Sequence, residues 1–436
     1  MKFFHLSDLH IGLKLLGRDL LQDQRYILQE IVQAAGKEQP DAVVIAGDIY
    51  DRSAPSAEAV EEFDRFVTEL HAAVPDAVLM MVSGNHDSAA RINCFRQILL
   101  EEKVYMVGQP PRTAEDTIEK VVLTDEYGPV NFYLLPFVRP SMVKNLLLKE
   151  EDEETPEGER KLSYDAALHQ LIAREKIDPT QRNVLVSHQF YIPAGSDPGT
   201  VERAQSELVT VGNIDSVNAD VLDLFDYAAL GHIHRPMQVG SERCRYCGTP
   251  LACSVSEAGQ EKGIVVVELG AKGAVSAAVD GIGRFPKARN GQVRILPAQT
   301  PDLGSLPSDT GAAAAGAFLR VRTLPLVPLR QIRVLEGSLS EVLAGACTDY
   351  VSVRLTDPED SSGPDRMARL REAFPYLLEV KHVWNLQGEM GTASISAPER
   401  NPLELCLDFL GETDAWEEEL LGSVLQSLTA AVGEGN

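Results

Sequence analysis

The chain lacks the features that mark secreted and membrane proteins. Its 436 residues include only six cysteines, without the regular spacing of a disulfide framework, so we expect reduced thiols. No apolar stretch approaches the roughly 20 residues that a membrane-spanning helix needs. The first residues lack the basic start and cleavage site of a signal peptide. Together these absences predict a soluble, cytoplasmic protein without membrane attachment.

Basic residues are also scarce. The chain has 40 Lys and Arg against 65 Asp and Glu, which gives a formal net charge of −25. Because contacts to phosphates depend on Lys and Arg, this charge argues against unaided binding of a nucleic acid. It does not exclude a phosphodiester substrate, since two bound divalent ions would add about four positive charges where acidic ligands converge. We therefore expect another subunit to hold most of any polymeric substrate.

The hydrophobic patterning predicts an α+β protein with three parts. Short apolar strands alternate with helical patterns in the first part, which favours a layered α+β arrangement. We place this first domain at residues 1–285, a smaller α+β domain at 286–390, and a helical segment at 391–436. A stretch rich in Pro, Gly, Ser and Ala before residue 317 marks the first boundary.

The two later parts have specific expectations. The smaller domain is predicted to begin with a strand at Phe318–Leu324, followed by a helix near Pro328–Ala346. Two helical stretches near the end, Leu403–Leu410 and Ala415–Ala431, carry apolar stripes that a short segment cannot bury alone. These stripes predict packing against the chain's own domain or against a partner.

Five short polar segments carry the chemistry, and four of them directly follow an apolar, strand-like run. In chain order they are Asp8-Leu9-His10, Gly47-Asp48-Ile49-Tyr50-Asp51, Gly84-Asn85-His86-Asp87, Ser187-His188 and Gly231-His232-Ile233-His234. Because they follow strands, we expect their side chains to gather at one edge of a sheet. Their carboxylates, amide and imidazoles are an inventory for two adjacent divalent ions and a catalytic imidazole.

The ligand types narrow the choice of metal. Asp8 and His10 project to the same side of an extended segment and can reach one ion. Asp48 follows a glycine that allows close approach of the backbone, and its carboxylate can bridge two ions. Mixed carboxylate, amide and imidazole ligands without thiolates suit Mn²⁺, Fe²⁺ or Zn²⁺.

The ordered set resembles the calcineurin-like metallophosphoesterases, whose signature reads Asp-X-His, Gly-Asp-X-X-Asp, Gly-Asn-His-Asp/Glu, His and Gly-His-X-His. This resemblance covers residues 1–285. More narrowly, the chain is similar to the bacterial SbcD family of nuclease subunits, relatives of the double-strand-break repair nucleases. The closer match is carried by residues 5–12, by Leu134–Pro140, by Tyr246–Leu251 and by Asn401–Leu405.

The resemblance implies a fold and a set of roles. The fold is a layered β-sandwich flanked by helices, with a smaller capping domain that governs access of DNA. One ion is held by Asp8, His10, Asp48 and His234, and the other by Asp48, Asn85, His188 and His232. His86 is the catalytic residue that does not bind metal, with Asp51 as its orienting partner. Two Mn²⁺ ions are the expected cofactors.

The resemblance also implies an activity and partners. It predicts an ATP-dependent 3′→5′ exonuclease on duplex ends and an endonuclease on single strands or hairpins, acting in DNA repair and recombination. An SbcC-type coiled-coil ATPase would bind the C-terminal helices, and the nuclease would be a homodimer. Two alternatives stay open: a small-molecule phosphatase or cyclic-nucleotide phosphodiesterase that uses the same site, and a scaffold that has lost catalysis.

Two weaker signals allow two interpretations each. Arg139, in the segment Phe-Val-Arg-Pro, is placed either to contact a substrate phosphate or to form a structural salt bridge. Cys244 and Cys247 have the spacing of a zinc or redox pair, but because there is no second pair we favour the interpretation as neighbouring thiols.

Overall fold

The computed structural model describes residues 1–147, 162–193, a few positions between 194 and 214, and residues 215–273, 318–357 and 365–383. The predicted domain boundaries at 285 and 390 and both C-terminal helical stretches lie outside the described residues. Among the described helices, none is long and apolar enough to cross a membrane.

The described residues form nineteen strands and eight α-helices. The strands of the first half are β1 (Lys2–Leu6), β2 (Lys14–Leu15), β3 (Arg18–Asp19), β4 (Ala42–Ala46), β5 (Val78–Val82), β6 (Val104–Val107), β7 (Glu119–Asp125), β8 (Gly128–Leu135), β9 (Arg182–His188) and β10 (Phe190–Ile192). The later strands are β11 (Ser216–Asn218), β12 (Tyr227–Gly231), β13 (Met237–Val239), β14 (Ser241–Tyr246), β15 (Lys262–Leu269), β16 (Leu319–Leu326), β17 (Ile332–Gly337), β18 (Tyr350–Leu355) and β19 (Leu377–His382). The α-helices are α1 (Leu21–Glu38), α2 (Ala57–Ala73), α3 (Ala89–Ile92), α4 (Arg96–Leu99), α5 (Pro140–Leu147), α6 (Tyr164–Ala173), α7 (Leu339–Ala344) and α8 (Asp365–Ala373).

Two six-stranded sheets form the main part of the fold. Their strand orders are β16-β15-β1-β4-β5-β6 and β13-β14-β12-β9-β8-β7. Apolar side chains from both sheets share one core, in which Phe3 meets Phe132 and Tyr227 edge-to-face at ring distances of 5.3 and 5.7 Å. Such pairs add to the gain from burial alone. The layered β-sandwich predicted from the sequence is therefore confirmed.

Helices cover the outer faces of both sheets. On the first sheet, α1 and α2 bury their apolar stripes in one core with β1, β4 and β5. The start of α2 is fixed by Ser56, whose hydroxyl accepts a hydrogen bond from the N–H of Ala59. On the second sheet, α5 and α6 pack in a separate core with β8, β9 and β12. Each sheet is thus buried on both faces, which matches the continuously apolar sequences of its central strands.

The direction of the strands decides where the polar segments meet. In the first sheet β1, β4 and β5 run parallel, and in the second β8, β9, β12 and β14 run parallel. The carboxyl ends of parallel strands lie at the same edge of a sheet. The residues that follow β1, β4, β5, β9 and β12 therefore gather at one edge of the sandwich.

A smaller three-stranded parallel sheet, β17-β18-β19, follows the sandwich and packs with α7 and α8. It differs from the prediction in two ways. The predicted strand at Phe318–Leu324 exists, but it pairs antiparallel with β15 along its whole length and so extends the first large sheet. The prediction of a helix near Pro328–Ala346 is wrong for Ile332–Gly337, because these residues form β17. The helix, α7, begins only after Ser338.

Candidate metal centre

All the predicted ligands come together at the carboxyl edge of the sandwich. Asp8 and His10 follow β1, Asp48 follows β4, and Asn85 follows β5. From the second sheet, His188 ends β9, and the pair His232 and His234 follows β12. The two sheets thus contribute ligands from opposite sides.

The backbone at this edge is strained. Four of the eight described non-glycine residues with positive φ belong to the cluster: Asp8 (53°), His10 (43°), Asp48 (49°) and His232 (105°). Such conformations are costly and concentrate at functional sites. The strain is held by main-chain hydrogen bonds between the loops, including the N–H of His10 to the carbonyl of Asp48 at 3.0 Å.

One group of donor atoms is formed by Asp8, His10 and His234. Their ligand atoms all lie within 4.8 Å of one another, and the Nε2 atoms of the two histidines are 3.1 Å apart. Asp48 lies beside this group, with Oδ2 3.7 Å from Nε2 of His10. These are the four residues expected to hold the first ion.

A second group surrounds Asn85. Its Oδ1 lies 3.0 Å from Nε2 of His188 and 3.0 Å from Nδ1 of His232. The carboxylate of Asp48 again takes part, since its Oδ2 is 3.2 Å from Nε2 of His188. Nδ1 of His188 is 2.7 Å from the carbonyl of Ala46, so this nitrogen carries the hydrogen and Nε2 is left to bind metal.

The spacing of the donor atoms fits two metal ions. Two ligand atoms that each lie about 2.0–2.2 Å from one ion are separated by about 3 Å at the usual coordination angles. The separations within the two groups fall close to this value, and Asp48 reaches both groups. The residues therefore fit a pair of divalent ions, to both of which Asp48 could contribute a ligand atom, and no thiolate is among the predicted ligands.

Burial and charge perturb the acidic and imidazole groups strongly. Burial raises the pKa of the Asp8 carboxyl to about 6, although the neighbouring His188 and His234 oppose the shift. Burial alone would lower the pKa of His188, but the Asp48 carboxylate raises it to about 9. Burial would raise the pKa of Asp48, but His188, His10 and His86 together hold it well below its usual value. A buried cluster of carboxylates thus requires positive charge beside it.

His86 lies beside the ligands and is held in a specific orientation. Its ring centre is 4.8 Å from that of His10, and its main-chain N–H donates to Oδ1 of Asp48 at 2.9 Å. Its Nδ1 donates to the main-chain carbonyl of Asp51 at 2.8 Å. The Asp51 carboxylate instead accepts a hydrogen bond from Arg52. The expected contact between residues 86 and 51 is therefore present, but it is made by the main chain of Asp51 and not by its side chain.

Asp87 is a structural part of the site whose role the motifs did not predict. Its carboxylate accepts hydrogen bonds from the N–H groups of Gly84, Ile49 and Tyr50 at 2.9–3.1 Å. It thereby ties the loop after β5 to the loop after β4. Burial raises the pKa of this carboxyl to about 6, and the charge of Asp48 adds to the shift. Its position as the last residue of the Gly-Asn-His-Asp segment is the feature of the sequence that could have indicated this role.

Glu257 was missed altogether, because no motif surrounds it. It is buried and accepts hydrogen bonds from Lys262 Nζ at 2.7 Å and Thr249 Oγ1 at 3.1 Å. Its Oε1 also lies 3.4 Å from Nδ1 of the ligand His234. A carboxylate behind a histidine ligand fixes the ring and leaves Nε2 free for the metal.

The cysteine pair lies near the site without joining it. Cys244 and Cys247 are buried free thiols, and burial raises the pKa of both. Neither belongs to any potential metal-binding group among the described residues. The Sγ of Cys247 lies 2.9 Å from the hydroxyl of Ser7, next to Asp8. The interpretation as neighbouring thiols is the one that agrees with this geometry.

Comparison with known proteins gives this geometry a family. A sequence model of the calcineurin-like phosphoesterases matches residues 1–236, more than half of the chain. The chain belongs to the calcineurin-like phosphoesterase family. Phosphoesterases of this family bind divalent metals, in agreement with the ligand clusters at the strand ends. A second model, the type 5 capsule protein repressor C-terminal domain, matches residues 326–413 of this phosphoesterase.

Individual relatives extend the comparison. The phosphoesterase is 29% identical over 390 residues to the SbcD subunit of the nuclease SbcCD of Staphylococcus epidermidis, covering 88% of this chain and 86% of the relative. Among solved structures, the protein TT1561 of Thermus thermophilus matches 60% of this chain and 92% of its own, at 13% identity. A dimetal phosphatase from Danio rerio matches 62% and 92%, at 14% identity. Both structures have TM-scores of 0.34, too low to inform the assignment of this site.

Proposed function

We propose that this phosphoesterase is the nuclease subunit of an SbcCD-type complex and hydrolyses DNA phosphodiester bonds with two divalent ions, Mn²⁺ being the expected metal. The observation that carries the proposal is the convergence of seven donor side chains at one edge of the sandwich, with His86 beside them. The choice of DNA is supported by the similarity to a nuclease subunit over 88% of the chain.

The residues divide the work of hydrolysis between them. Two bound divalent ions would supply a water of lowered pKa and stabilisation of charge on the phosphoryl oxygens. Asp48 holds the two ligand groups together, and Asn85 provides a neutral oxygen that adds no charge to the site. His86 keeps its Nδ1 hydrogen on the carbonyl of Asp51, so that the protonated imidazolium can give the second proton, on Nε2, to the leaving alkoxide. General acid catalysis of this kind contributes about 10²–10⁴-fold.

The partner is the second part of the proposal. An SbcC-type coiled-coil ATPase would hold the DNA and dock on the C-terminal helices, and ATP would control duplex exonuclease and hairpin endonuclease cleavage. The excess of acidic residues supports this division, since the chain alone has little charge with which to hold a polymer. Deleting residues 401–436 should abolish co-purification with the partner and leave cleavage of simple substrates. Unchanged co-purification would place the docking surface elsewhere.

We further propose that two copies of the chain associate through the segment after the Gly-Asn-His-Asp motif. Phe95 and Ile98 expose 72% and 66% of their surface there, and Phe95 has a left-handed φ of 58°. A left-handed backbone conformation costs free energy for a bulky residue, and here it leaves the Phe95 ring exposed to solvent. Exposed apolar side chains of this kind are typical of protein–protein contacts. Replacing both residues by Asp should convert a dimer into a monomer in light scattering. A wild-type monomer at micromolar concentration would contradict the proposal.

Cleavage of end-labelled DNA tests the proposed function. The purified chain is assayed with Mn²⁺, Mg²⁺ or EDTA on duplex and single-stranded substrates, with Asp48→Ala as the control. Bis-p-nitrophenyl phosphate is run in parallel. Metal-dependent shortening of DNA that is lost in the variant is the expected result. If the chain turns over only the small diester, and adding the SbcC-type partner does not restore DNA cleavage, the phosphatase or cyclic-nucleotide phosphodiesterase is favoured.

A further inference from the structure

A short segment beside the metal centre, Phe137–Arg139, is held by the motifs on either side of it. The first N–H of the segment donates to the carbonyl of Ser83 at 2.9 Å, two residues before Asn85. Gln189, the neighbour of His188, is fully buried and forms two hydrogen bonds with the main chain of Val138. Its Nε2 donates to the Val138 carbonyl at 2.9 Å, and its Oε1 accepts from the Val138 N–H at 3.4 Å. The segment is therefore fixed relative to both groups of ligands.

The side chains at its two ends contact each other, and one of them packs on a predicted metal ligand. The half-buried ring of Phe137 packs edge-to-face on the ring of His188, with 6.3 Å between centres. The guanidinium carbon of Arg139 lies 5.7 Å from the centre of the Phe137 ring. This is the distance of a cation–π contact, which holds the planar guanidinium against the ring. The three groups form a row that leads from His188 to the surface.

The guanidinium of Arg139 has no carboxylate partner in the part of the chain that the structure describes. Its side chain is exposed. Of the two interpretations offered by the sequence, a structural salt bridge therefore finds no partner in this part of the chain. Within the described residues, Arg139 thus places a positive charge, through Phe137, close to a site that is rich in carboxylates. Its planar fork suits a phosphate, to which it can donate two parallel hydrogen bonds.

We propose that Phe137 and Arg139 form a nucleotide subsite next to the metal centre. The guanidinium binds a phosphate that neighbours the one being cleaved, and the aromatic ring provides a surface for the base of that nucleotide. Because a ring can stack only on a base that is not already stacked in a duplex, the subsite takes a strand that is unpaired beside the scissile bond. The inference rests on the proposed nuclease function and adds the form of the substrate to it.

The test compares a substrate that has the neighbouring phosphate with one that lacks it. kcat and KM are measured with Mn²⁺ for a short single-stranded oligonucleotide and for bis-p-nitrophenyl phosphate, using Arg139→Ala, Arg139→Lys and Arg243→Ala. Arg243 is the matched control. Its side chain is 43% exposed and pairs with Asp223 at 3.7 Å, and it lies near the start of β14 at the opposite edge of the sheet. Mn²⁺ binding to each variant is followed by calorimetry as a readout independent of turnover.

The expected result is a selective loss on the oligonucleotide. Arg139→Ala should lower kcat/KM for the oligonucleotide about 10-fold to 100-fold, mainly through KM, as expected for one charge-assisted contact to a phosphate. Arg139→Lys should recover part of this loss, because it keeps the charge but not the fork. The loss on the small diester should be much smaller, with Mn²⁺ affinity and the Arg243→Ala control at wild-type values.

Two results would overturn the inference, and they differ from a failure of the proposed function. Equal losses on both substrates would mean that Arg139 acts through the metal centre or the fold. Unchanged oligonucleotide kinetics would mean that Arg139 does not contact the substrate. Phe137→Leu provides a second check: with Mn²⁺ binding preserved, it should also raise KM for the oligonucleotide alone. If the wild-type chain turns over the small diester but no oligonucleotide, with or without the SbcC-type partner, the nuclease function itself fails before any variant is compared.

Discussion

His86 and Asp51 should differ sharply in their effect on catalysis when each is replaced by alanine. Nδ1 of His86 donates to the main-chain carbonyl of Asp51 at 2.8 Å, and every residue at position 51 supplies that carbonyl. Asp51→Ala removes only the carboxylate and its 3.4 Å contact with Arg52, whose side chain is 76% exposed. Because exposed ion pairs contribute about 0–1 kcal/mol, the variant should lose little stability. We expect its kcat/KM to stay within about threefold of wild type, well short of the loss that removing a general acid causes.

His86→Ala removes the proposed proton donor itself. It should lower kcat by about 10²–10⁴-fold, the range for loss of a general acid, and leave both ions bound. The assay is turnover of a short oligonucleotide with saturating Mn²⁺, because its alkoxide leaving group needs a proton whereas p-nitrophenolate leaves without one. Metal binding is measured by calorimetry on the same preparations. A large loss of activity in Asp51→Ala at an unchanged melting temperature would refute the main-chain assignment. Loss of a metal ion in His86→Ala would make His86 a ligand.

Three further variants test one ion pair of the fold and two contacts that hold the site in place. Asp125→Asn removes the partner of the buried Arg182 and should cost about 3 kcal/mol in denaturant unfolding; a cost below about 1 kcal/mol would contradict this. Burial would raise the pKa of Asp125, but Arg182 holds it well below the usual value, so this stabilisation is complete above about pH 4 and lost as the pH falls further. Glu257→Ala frees the ring of His234 and should weaken Mn²⁺ binding about 10-fold to 100-fold in calorimetry, whereas unchanged affinity would make Glu257 a purely structural residue. Gly84→Ala places a methyl group where the carboxylate of the bridging aspartate lies, and it should lower kcat/KM about 100-fold; wild-type turnover would show that the loop can yield.

The position of the metal site could be predicted because strand ends are visible in the sequence. Asp48 follows five apolar residues, and Asn85 follows another apolar strand, so both were expected at the edge of a sheet. Parallel pairing of β1, β4 and β5 then places them together. What the sequence could not supply was the way two separate sheets face each other, which brings His188 to within 3.2 Å of Asp48.

Other features escaped prediction for physical reasons that can be named. The strand Ile332–Gly337 was merged with the following helix, although Ser338 and Glu341 form a capping box that marks where the helix begins. β16 pairs with β15, which lies far from it in the chain, and a local sequence pattern does not indicate which distant strand a segment pairs with. Whether a residue acts through its side chain or its carbonyl, as with Asp51, depends on loop geometry that motifs do not encode.

The central claim is tested most directly by counting the bound ions and by finding which metal site each variant weakens. Mn²⁺ binding is measured by calorimetry for the wild-type chain, His234→Ala and Asp48→Asn. A two-ion centre bridged by Asp48 predicts two ions in the wild type, one weakened site in His234→Ala and two weakened sites in Asp48→Asn. A single ion at saturation, or loss of only one site in Asp48→Asn, would contradict the account.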